Sequence, residues 1–243
     1  MNDGIKYGKG LFETIKVVEC KPVYLEDHIE RLENSMGFLG MNTKNIRENI
    51  KAEIENIDLD TDCLRVMVLD NNGDYDLFIN TRNTDYSDLK YTQGLKLKVL
   101  NQLRDKNNPL AYHKTNNYLL NDYLHKELLK EGFDEGIFLN QDGNVTEGTY
   151  TNMFFIQKNT FITPPVSDGM LPGIFRKKLI EFLKINGYNI IEKSIKLSDL
   201  QSMDCCFATN SLMEMRFVRQ IDEIMFSKSN LFCEISEKLM NEN

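Results

Sequence analysis

Residues Leu11 to Val18 and Pro22 to Leu25 read as two strands on either side of Glu19-Cys20-Lys21, which predicts a hairpin near the start of the chain. From Leu25 to Leu39 the apolar residues Leu25, Ile29, Leu32, Met36 and Leu39 recur at helical spacing, with Gly37 and Gly40 near the end. A second helix is expected over Thr43–Ile57. Two strands follow, Cys63–Leu69 and Tyr75–Asn80, around the turn signal Asn71-Asn72-Gly73-Asp74, and Leu95–Leu100 reads as another. The polar run Asn101–Asn108, closed by Pro109, has the composition of a linker. Beyond it Thr115–Lys130 predicts a helix stopped by Gly132. Glu135–Gln157 holds a strand, an Asp142-Gly143 turn and a returning strand. After the Pro164-Pro165 break, Gly173 precedes a helix from Ile174 to about Asn186, and Asn189–Ile195 and Cys205–Thr209 are strand-like. Strands outnumber what a simple alternation of strand and helix would give. The expected fold class is therefore α+β (mixed α/β) in two domains: a small N-terminal α/β domain over 1–101, a linker over 102–110 and a larger domain over 111–243.

Composition narrows the class. The 243 residues are 41% hydrophobic and 27% charged, with 29 Lys and Arg against 37 Asp and Glu, for a formal net charge of -8. That is a globular composition, and the acidic balance argues against nucleic acid or an anionic membrane as the main partner. No apolar run approaches the roughly 18 residues that span a bilayer, and the opening MNDGIKYGKG lacks a signal-peptide core, so a cytoplasmic location is expected. Five cysteines (Cys20, Cys63, Cys205, Cys206, Cys233) without a CxxC, and three scattered histidines (His28, His113, His125), suggest buried structural thiols and no metal site.

Three local contexts carry candidate chemistry. Leu171-Pro172-Gly173-Ile174-Phe175-Arg176 places a glycine at the mouth of a helix, where free N–H groups and the helix dipole suit a phosphate; by itself it is as well read as a plain helix start. Thr146-Glu147-Gly148 sets a carboxylate in a segment that otherwise reads as buried strand, which makes sense if it meets a cation or a protonated ring nitrogen, although a strand-edge glutamate facing water fits the same residues. His113-Lys114-Thr115 puts a lysine at the junction of linker and helix. A lysine held in a cleft serves as a nucleophile or general base; a surface lysine is the ordinary alternative.

Taken in order with the early Tyr7-Gly8-Lys9-Gly10-Leu11-Phe12-Glu13-Thr14 and the late Asn210-Ser211, these motifs resemble the class IV aminotransferases, the fold-type IV pyridoxal-phosphate enzymes, from about Asp3 to Val218. The resemblance implies a larger domain built on a mainly antiparallel, barrel-like sheet, a pyridoxal 5'-phosphate cofactor and a homodimer. Residue by residue, it implies that Lys114 is the catalytic lysine that bonds the cofactor and shuttles protons. Glu147 would pair with the protonated pyridine nitrogen. Arg31, the backbone amides of Ile174 and Phe175 and the Ser211 hydroxyl would hold the phosphate, with His28 one helical turn before Arg31. Tyr118 resembles a tyrosine that bonds the cofactor's phenolic oxygen, although it lies four residues after the lysine where branched-chain aminotransferases have five.

Within the family the early Phe12-Glu13-Thr14, the segment Asn108-Pro109-Leu110-Ala111 and Lys114-Thr115-Asn116-Asn117-Tyr118-Leu119 resemble 4-amino-4-deoxychorismate lyases. Branched-chain aminotransferases carry Phe-Glu-Gly-Ile-Arg early, and D-amino acid aminotransferases an Arg-x-His pair that Asp70–Asp76 lacks; Lys9 departs from the acidic residue often found in the lyase motif. Arg65 and Arg104 are candidates to hold substrate carboxylates, and Tyr7 and Phe12 to line the pocket, with ion pairing and core packing the plainer readings. Residues 86–94 and the segment around Leu25 are expected at a dimer contact. Relatives usually carry about 20 further residues ahead of the Tyr-Gly-x-Gly motif and a turn and terminal helix after Ile221-Asp222, so the chain is expected to be a trimmed version of the fold.

Overall fold

A computed structural model describes residues 3–84 and 93–242. Its contacts divide into two units. The first holds the described residues through 84 together with His113–Leu119, and the second holds 93–112 and 120 onward.

In the first unit α1 (Asp3–Tyr7) leads into a four-stranded antiparallel sheet of order β2-β1-β3-β4, made of β1 (Gly10–Val18), β2 (Lys21–Pro22), β3 (Cys63–Asn71) and β4 (Asp74–Arg82). Alternation along β1 turns Leu11, Ile15 and Val17 to one face, where they pack with Leu64, Val66 and Val68 of β3. That face is covered by α2 (Leu25–Phe38), through Ile29, Leu32 and Met36, and by α3 (Ile46–Glu55), through Ile46, Ile50 and Ile54. For α2 this is the stripe that its spacing announced.

Glu13 sits on the same core-facing side of β1, between Leu11 and Ile15, and its carboxylate is buried. It is not left unpaired. Arg31 of α2 donates from Nε to Oε1 at 2.8 Å and from Nη2 to Oε2 at 2.5 Å, and His28 Nδ1 lies 2.7 Å from Oε2. Burial by itself raises the Glu13 pKa, but the charge of Arg31 and the hydrogen bond and charge of His28 outweigh it and hold the carboxyl at about 2. The bidentate pair fixes the rotation of α2 over the sheet.

The second unit contains β5 (Leu95–Arg104), α4 (Leu119–Lys130), β6 (Glu135–Asn140), β7 (Val145–Gly148), β8 (Asn152–Gln157), β9 (Thr160–Thr163), α5 (Ile174–Ile185), β10 (Asn189–Glu192), β11 (Cys205–Asn210), β12 (Glu214–Ile221), β13 (Ile224–Met225) and α6 (Asn230–Glu242). Strand order runs β10-β9-β8-β11-β12-β5-β6-β7, and β7 pairs back to β8 through Glu147 and Asn152. The six strands from β8 to β7 therefore close into a barrel-like ring, which removes free edges. Pairings within it are antiparallel except β12–β5 and β5–β6. The paired residues Phe154 and Phe207 stack with centroids 5.2 Å apart and are fully buried. Among the described residues, no helix is long and apolar enough to cross a membrane, and no cluster of side chains is arranged to hold a metal ion.

Several sequence expectations change. The strand at Leu95 runs on to Arg104 and pairs with β6 and β12 of the second unit, so the small domain does not extend to residue 101. Accordingly 102–104 are strand rather than linker, and Pro109–Tyr112 forms a 3-10 turn. The second strand of the first hairpin is only Lys21–Pro22, because Tyr24 adopts a left-handed conformation and Leu25 opens α2. Beyond Asp222 the chain continues into β13 and the helix α6. Of the thiols, Cys20 is exposed at the hairpin tip and Cys233 half-buried, while Cys63, Cys205 and Cys206 are buried as expected. Most of the expected dimer-contact segment 86–94 lies outside the described residues.

Two stability predictions follow from the first unit. Glu13→Gln is expected to cost about 3–5 kcal/mol, since it leaves Arg31 and His28 half-satisfied indoors. Because the folded pKa is depressed, wild-type stability is full above the ordinary carboxyl value of 4.5 and is lost as pH falls through about 2; urea midpoints across that range are expected to show the decline in the wild type and a shallower one in the variant. At the hairpin tip, Glu19 and Cys20 have φ of 49° and 58°, a pair of left-handed residues between Val18 and Lys21. Cys20→Gly is expected to stabilise by about 1 kcal/mol, read as a rise in thermal midpoint.

Candidate functional site

The short β2 leaves one edge of β1 without a partner over its first residues, and the Lys114 segment takes that edge. Phe12 N–H donates to the Lys114 carbonyl at 2.9 Å, Asn116 N–H donates to the Gly10 carbonyl at 2.9 Å, and Leu11 and Thr115 pair as an antiparallel bridge. This is why the helix expected from Thr115 begins only at Leu119: the backbone of 114–116 is spent on a strand edge. The glycines of the early motif make the approach possible. A Cβ on Gly10 would lie 2.5 Å from Asn116 Nδ2 and 2.9 Å from the Val68 carbonyl, and one on Gly8, at φ 65°, would lie 2.6 Å from Asn117 Oδ1. His113 anchors the other side of the lysine, with Nδ1 2.9 Å from Ser35 Oγ and its ring stacked on Phe38 at 4.2 Å. Desolvation lowers the pKa of this imidazole.

Thus held, Lys114 is half-buried and its Nζ lies 4.3 Å from the centroid of Phe12 and 4.8 Å from that of Tyr118, whose rings meet edge to face at 5.1 Å. Phe12 points here because it alternates with Glu13 along β1. Arg65 of β3 follows by register. It sits opposite Thr14, on the Phe12 side of the sheet, and its guanidinium carbon is 4.3 Å from the Phe12 centroid. Two cations flanking one aromatic ring make a local concentration of positive charge in an acidic protein.

In the second unit Glu147 ends up buried near the end of β7. Its Oε2 accepts the Leu171 N–H at 3.1 Å and its Oε1 lies 3.1 Å from Arg104 Nε. Asn152 Nδ2 donates to the Leu171 carbonyl at 3.0 Å. The barrel-closing pair Glu147–Asn152 therefore holds the turn that leads into α5. At the head of that helix Gly173 has no side-chain cap, and a Cβ there would lie 2.1 Å from Asn152 Oδ1. The uncapped first turn, Ile174 and Phe175, presents the positive end of α5 a few residues from an anchored carboxylate. Ser211 lies in the β11–β12 turn, which Asn210 Oδ1 holds by accepting the N–H groups of Leu212 at 3.0 Å and Met213 at 2.9 Å.

The structure thus gathers Lys114, Tyr118, Phe12 and Arg65 in one unit, and Glu147, Arg104 and the start of α5 in the other. Arg31 is engaged by Glu13. Arg104, expected as a binder of substrate carboxylate, is instead committed to Glu147 and lies over the Phe138 ring at 4.0 Å, where it offsets the cost of burying the carboxylate. Tyr7 closes α1 and is 74% exposed. Sequence reasoning missed Glu13, Ser35 and Glu135 as supports. A charged residue opening the apolar run Glu135-Gly136-Ile137-Phe138-Leu139 was the available signal for the last.

Comparison with known proteins places these residues in a family. An aminodeoxychorismate lyase from Bacillus subtilis is 28% identical over 246 residues, covering 93% of this chain and 82% of the relative. A putative branched-chain-amino-acid aminotransferase from Methanocaldococcus jannaschii is also 28% identical, over 257 residues, covering 97% of this chain and 86% of the relative. Among solved structures, a putative 4-amino-4-deoxychorismate lyase from Legionella pneumophila superposes with a TM-score of 0.90 at 29% identity, covering 100% of this chain and 94% of that one. The family described as amino-transferase class IV matches residues 10–221. Since that match runs from the first residue of β1 to the last of β12, the chain belongs to the class IV aminotransferases.

Proposed function

We propose that the protein is a pyridoxal-phosphate-dependent 4-amino-4-deoxychorismate lyase, which releases pyruvate and yields 4-aminobenzoate for folate synthesis. The observation that carries the cofactor assignment is the turn shared by Glu147 and α5: a buried carboxylate anchored by Leu171 N–H, a few residues from an uncapped helix start. That donor set fits a ligand with a protonated ring nitrogen at one end and a phosphate at the other. Lys114, beside the Phe12 and Tyr118 rings, would supply the amine that such a cofactor requires. Pyridoxal phosphate, when bound, supplies the electron sink for bond breaking next to an amine. Glu147 would hold the proton at the ring nitrogen. The amides of Ile174 and Phe175, with Ser211 and with Arg31 as oriented by Glu13, would hold the phosphate, and Tyr118 would bond the phenolic oxygen.

The lyase reading within the family is supported by Phe12-Glu13-Thr14 and by Asn108-Pro109-Leu110-Ala111 ahead of Lys114. It is also supported by the lyase names among the relatives at 28% and 29% identity. In this reaction Lys114 would remove the proton from the ring carbon that bears the amine, the bond between ring carbon and enol oxygen would break as the ring becomes aromatic, and the departing enolate would take up a proton from Lys114 or water to become pyruvate. Arg65, beside Lys114 on the Phe12 ring, is placed to hold a substrate carboxylate. The branched-chain aminotransferase reading uses the same cofactor residues, and the relative from Methanocaldococcus jannaschii at equal identity supports it. A D-amino acid aminotransferase is the third member considered, and the Asp70–Asp76 stretch carries neither of its carboxylate-binding residues. The working form is read as a homodimer, as fold-type IV enzymes generally are, with the cytoplasmic location that the composition suggests.

Incubation with aminodeoxychorismate is expected to give equimolar pyruvate and 4-aminobenzoate. Rapid leucine transamination to 2-oxoglutarate with no lyase product would overturn the lyase assignment in favour of the aminotransferase. Lys114→Ala is expected to lose turnover by at least about 10²–10⁴-fold and to abolish the visible absorbance of the holoenzyme. Arg65→Gln is expected to raise KM about tenfold or more with a smaller effect on kcat, which steady-state kinetics on a dicarboxylate substrate will measure.

A further inference from the structure

Glu135 opens β6 and its carboxylate is buried, yet it touches none of the residues assigned above to cofactor or substrate. It is bound instead by the tip of the β7–β8 hairpin. That tip is the four-residue turn Gly148–Thr151, closed by Gly148 N–H donating to the Thr151 carbonyl at 2.7 Å. Both central amides of the turn point at the carboxylate: Thr149 N–H donates to Oε1 at 2.9 Å and Tyr150 N–H to Oε2 at 3.1 Å. The hydroxyls of Thr149 and Thr151 donate to the same group, as does the N–H of Gly136 at 2.7 Å. Two successive N–H groups converging on an anion form a backbone nest, here filled by the protein's own side chain. Burial raises the Glu135 pKa, but the His125 ring, the Thr149 hydroxyl and the Gly136 amide outweigh it, and the group is held below the usual range.

The turn is gripped from α4 as well. Asn121 Nδ2 donates to the Thr149 carbonyl at 2.6 Å, and His125 Nδ1 lies 3.1 Å from Thr149 Oγ1. No side chain other than hydrogen fits at Gly148, where a Cβ would stand 2.2 Å from Thr151 Oγ1 and 3.1 Å from the Glu135 carboxyl carbon. Glu147 is the residue just before this turn and Asn152 the residue just after it. Any opening of the tip therefore shifts Glu147 relative to Leu171 and the head of α5.

The geometry points to Glu135 as a positioning residue for Glu147, acting through the Gly148–Thr151 turn. The inference rests on the pyridoxal-phosphate reading given above, in which Glu147 holds the ring nitrogen. In water, the same carboxylate would leave the turn free to sample other geometries; buried and fully bonded, it over-determines one.

A double-mutant cycle tests it, with pyridoxal phosphate titrated into apoprotein and followed by tyrosine fluorescence, as the chain has 10 Tyr and no Trp. Glu135→Gln is expected to raise the apparent Kd about tenfold or more, by analogy with the groups that orient metal ligands. It is also expected to speed hydrogen exchange at the Thr149 and Tyr150 amides before any cofactor is added. The decisive result is non-additivity: E135Q/E147Q should bind no more weakly than E147Q alone. Additive losses, an unchanged E135Q affinity, or unchanged amide exchange would overturn the inference. If E135Q is unfolded by circular dichroism, Thr149→Val removes one hydroxyl donor from the same carboxylate and takes its place in the cycle. Wild-type protein that takes up no pyridoxal phosphate would overturn the functional reading and this inference together, an outcome distinct from a wild type that binds while E135Q binds equally well.

Discussion

Two backbone hydrogen bonds, from Phe12 to Lys114 and from Asn116 to Gly10, tie the chemistry of the first unit to its fold. They exist because β1 is longer than its neighbour β2, which covers Val17 and Val18 alone and leaves polar backbone at the strand's start in need of partners. Filling that edge with residues 114–116 places the lysine at a fixed height on a rigid strand. The same strand then decides what surrounds it. Period-two alternation sends Phe12 toward Lys114 and Glu13 toward α2, so one dipeptide serves both the site and the core.

Buried carboxylates recur as the organising device, each with a different partner set. Glu13 meets a bidentate arginine and a histidine, and its charge is strongly favoured. Glu135 meets two adjacent amides and two hydroxyls. Glu147 meets one amide and an arginine at ion-pair distance. An isolated carboxylate in such surroundings would be expelled or neutralised, so each is a commitment of nearby donors to one geometry. Glu13 and Glu135 hold elements together, while Glu147 is the one read as a cofactor ligand.

Much of this was legible in the residues. The helical stripe at Leu25–Leu39, the glycine ahead of Ile174 and the unusual glutamate at 147 signalled their structural roles through local sequence. The segment around Thr115 was not legible. Its residues have ordinary helix-compatible patterning, and only the unfilled edge of β1, more than 100 positions earlier, overrides it. Arg104 is a similar case. A lone arginine near a predicted linker invites a surface or substrate role, but the strand at Leu95 runs further than its apolar pattern because β6 pairs with Leu103 and Arg104, carrying the guanidinium to Glu147.

What the sequence by itself determined is the set of parts: strands and helices with periodic faces, and motifs in the order of the class IV aminotransferases. Those features depend on neighbours within a few positions, where spacing and side-chain chemistry suffice. Only the tertiary structure decided the boundary between the units, the ring closure through Glu147 and Asn152, the partners of Arg31 and Arg104, and the self-filled nest at Glu135. Each of these is set by backbone hydrogen bonding and charge compensation between residues distant in the chain, and no local pattern encodes which distant donor will satisfy a buried acceptor.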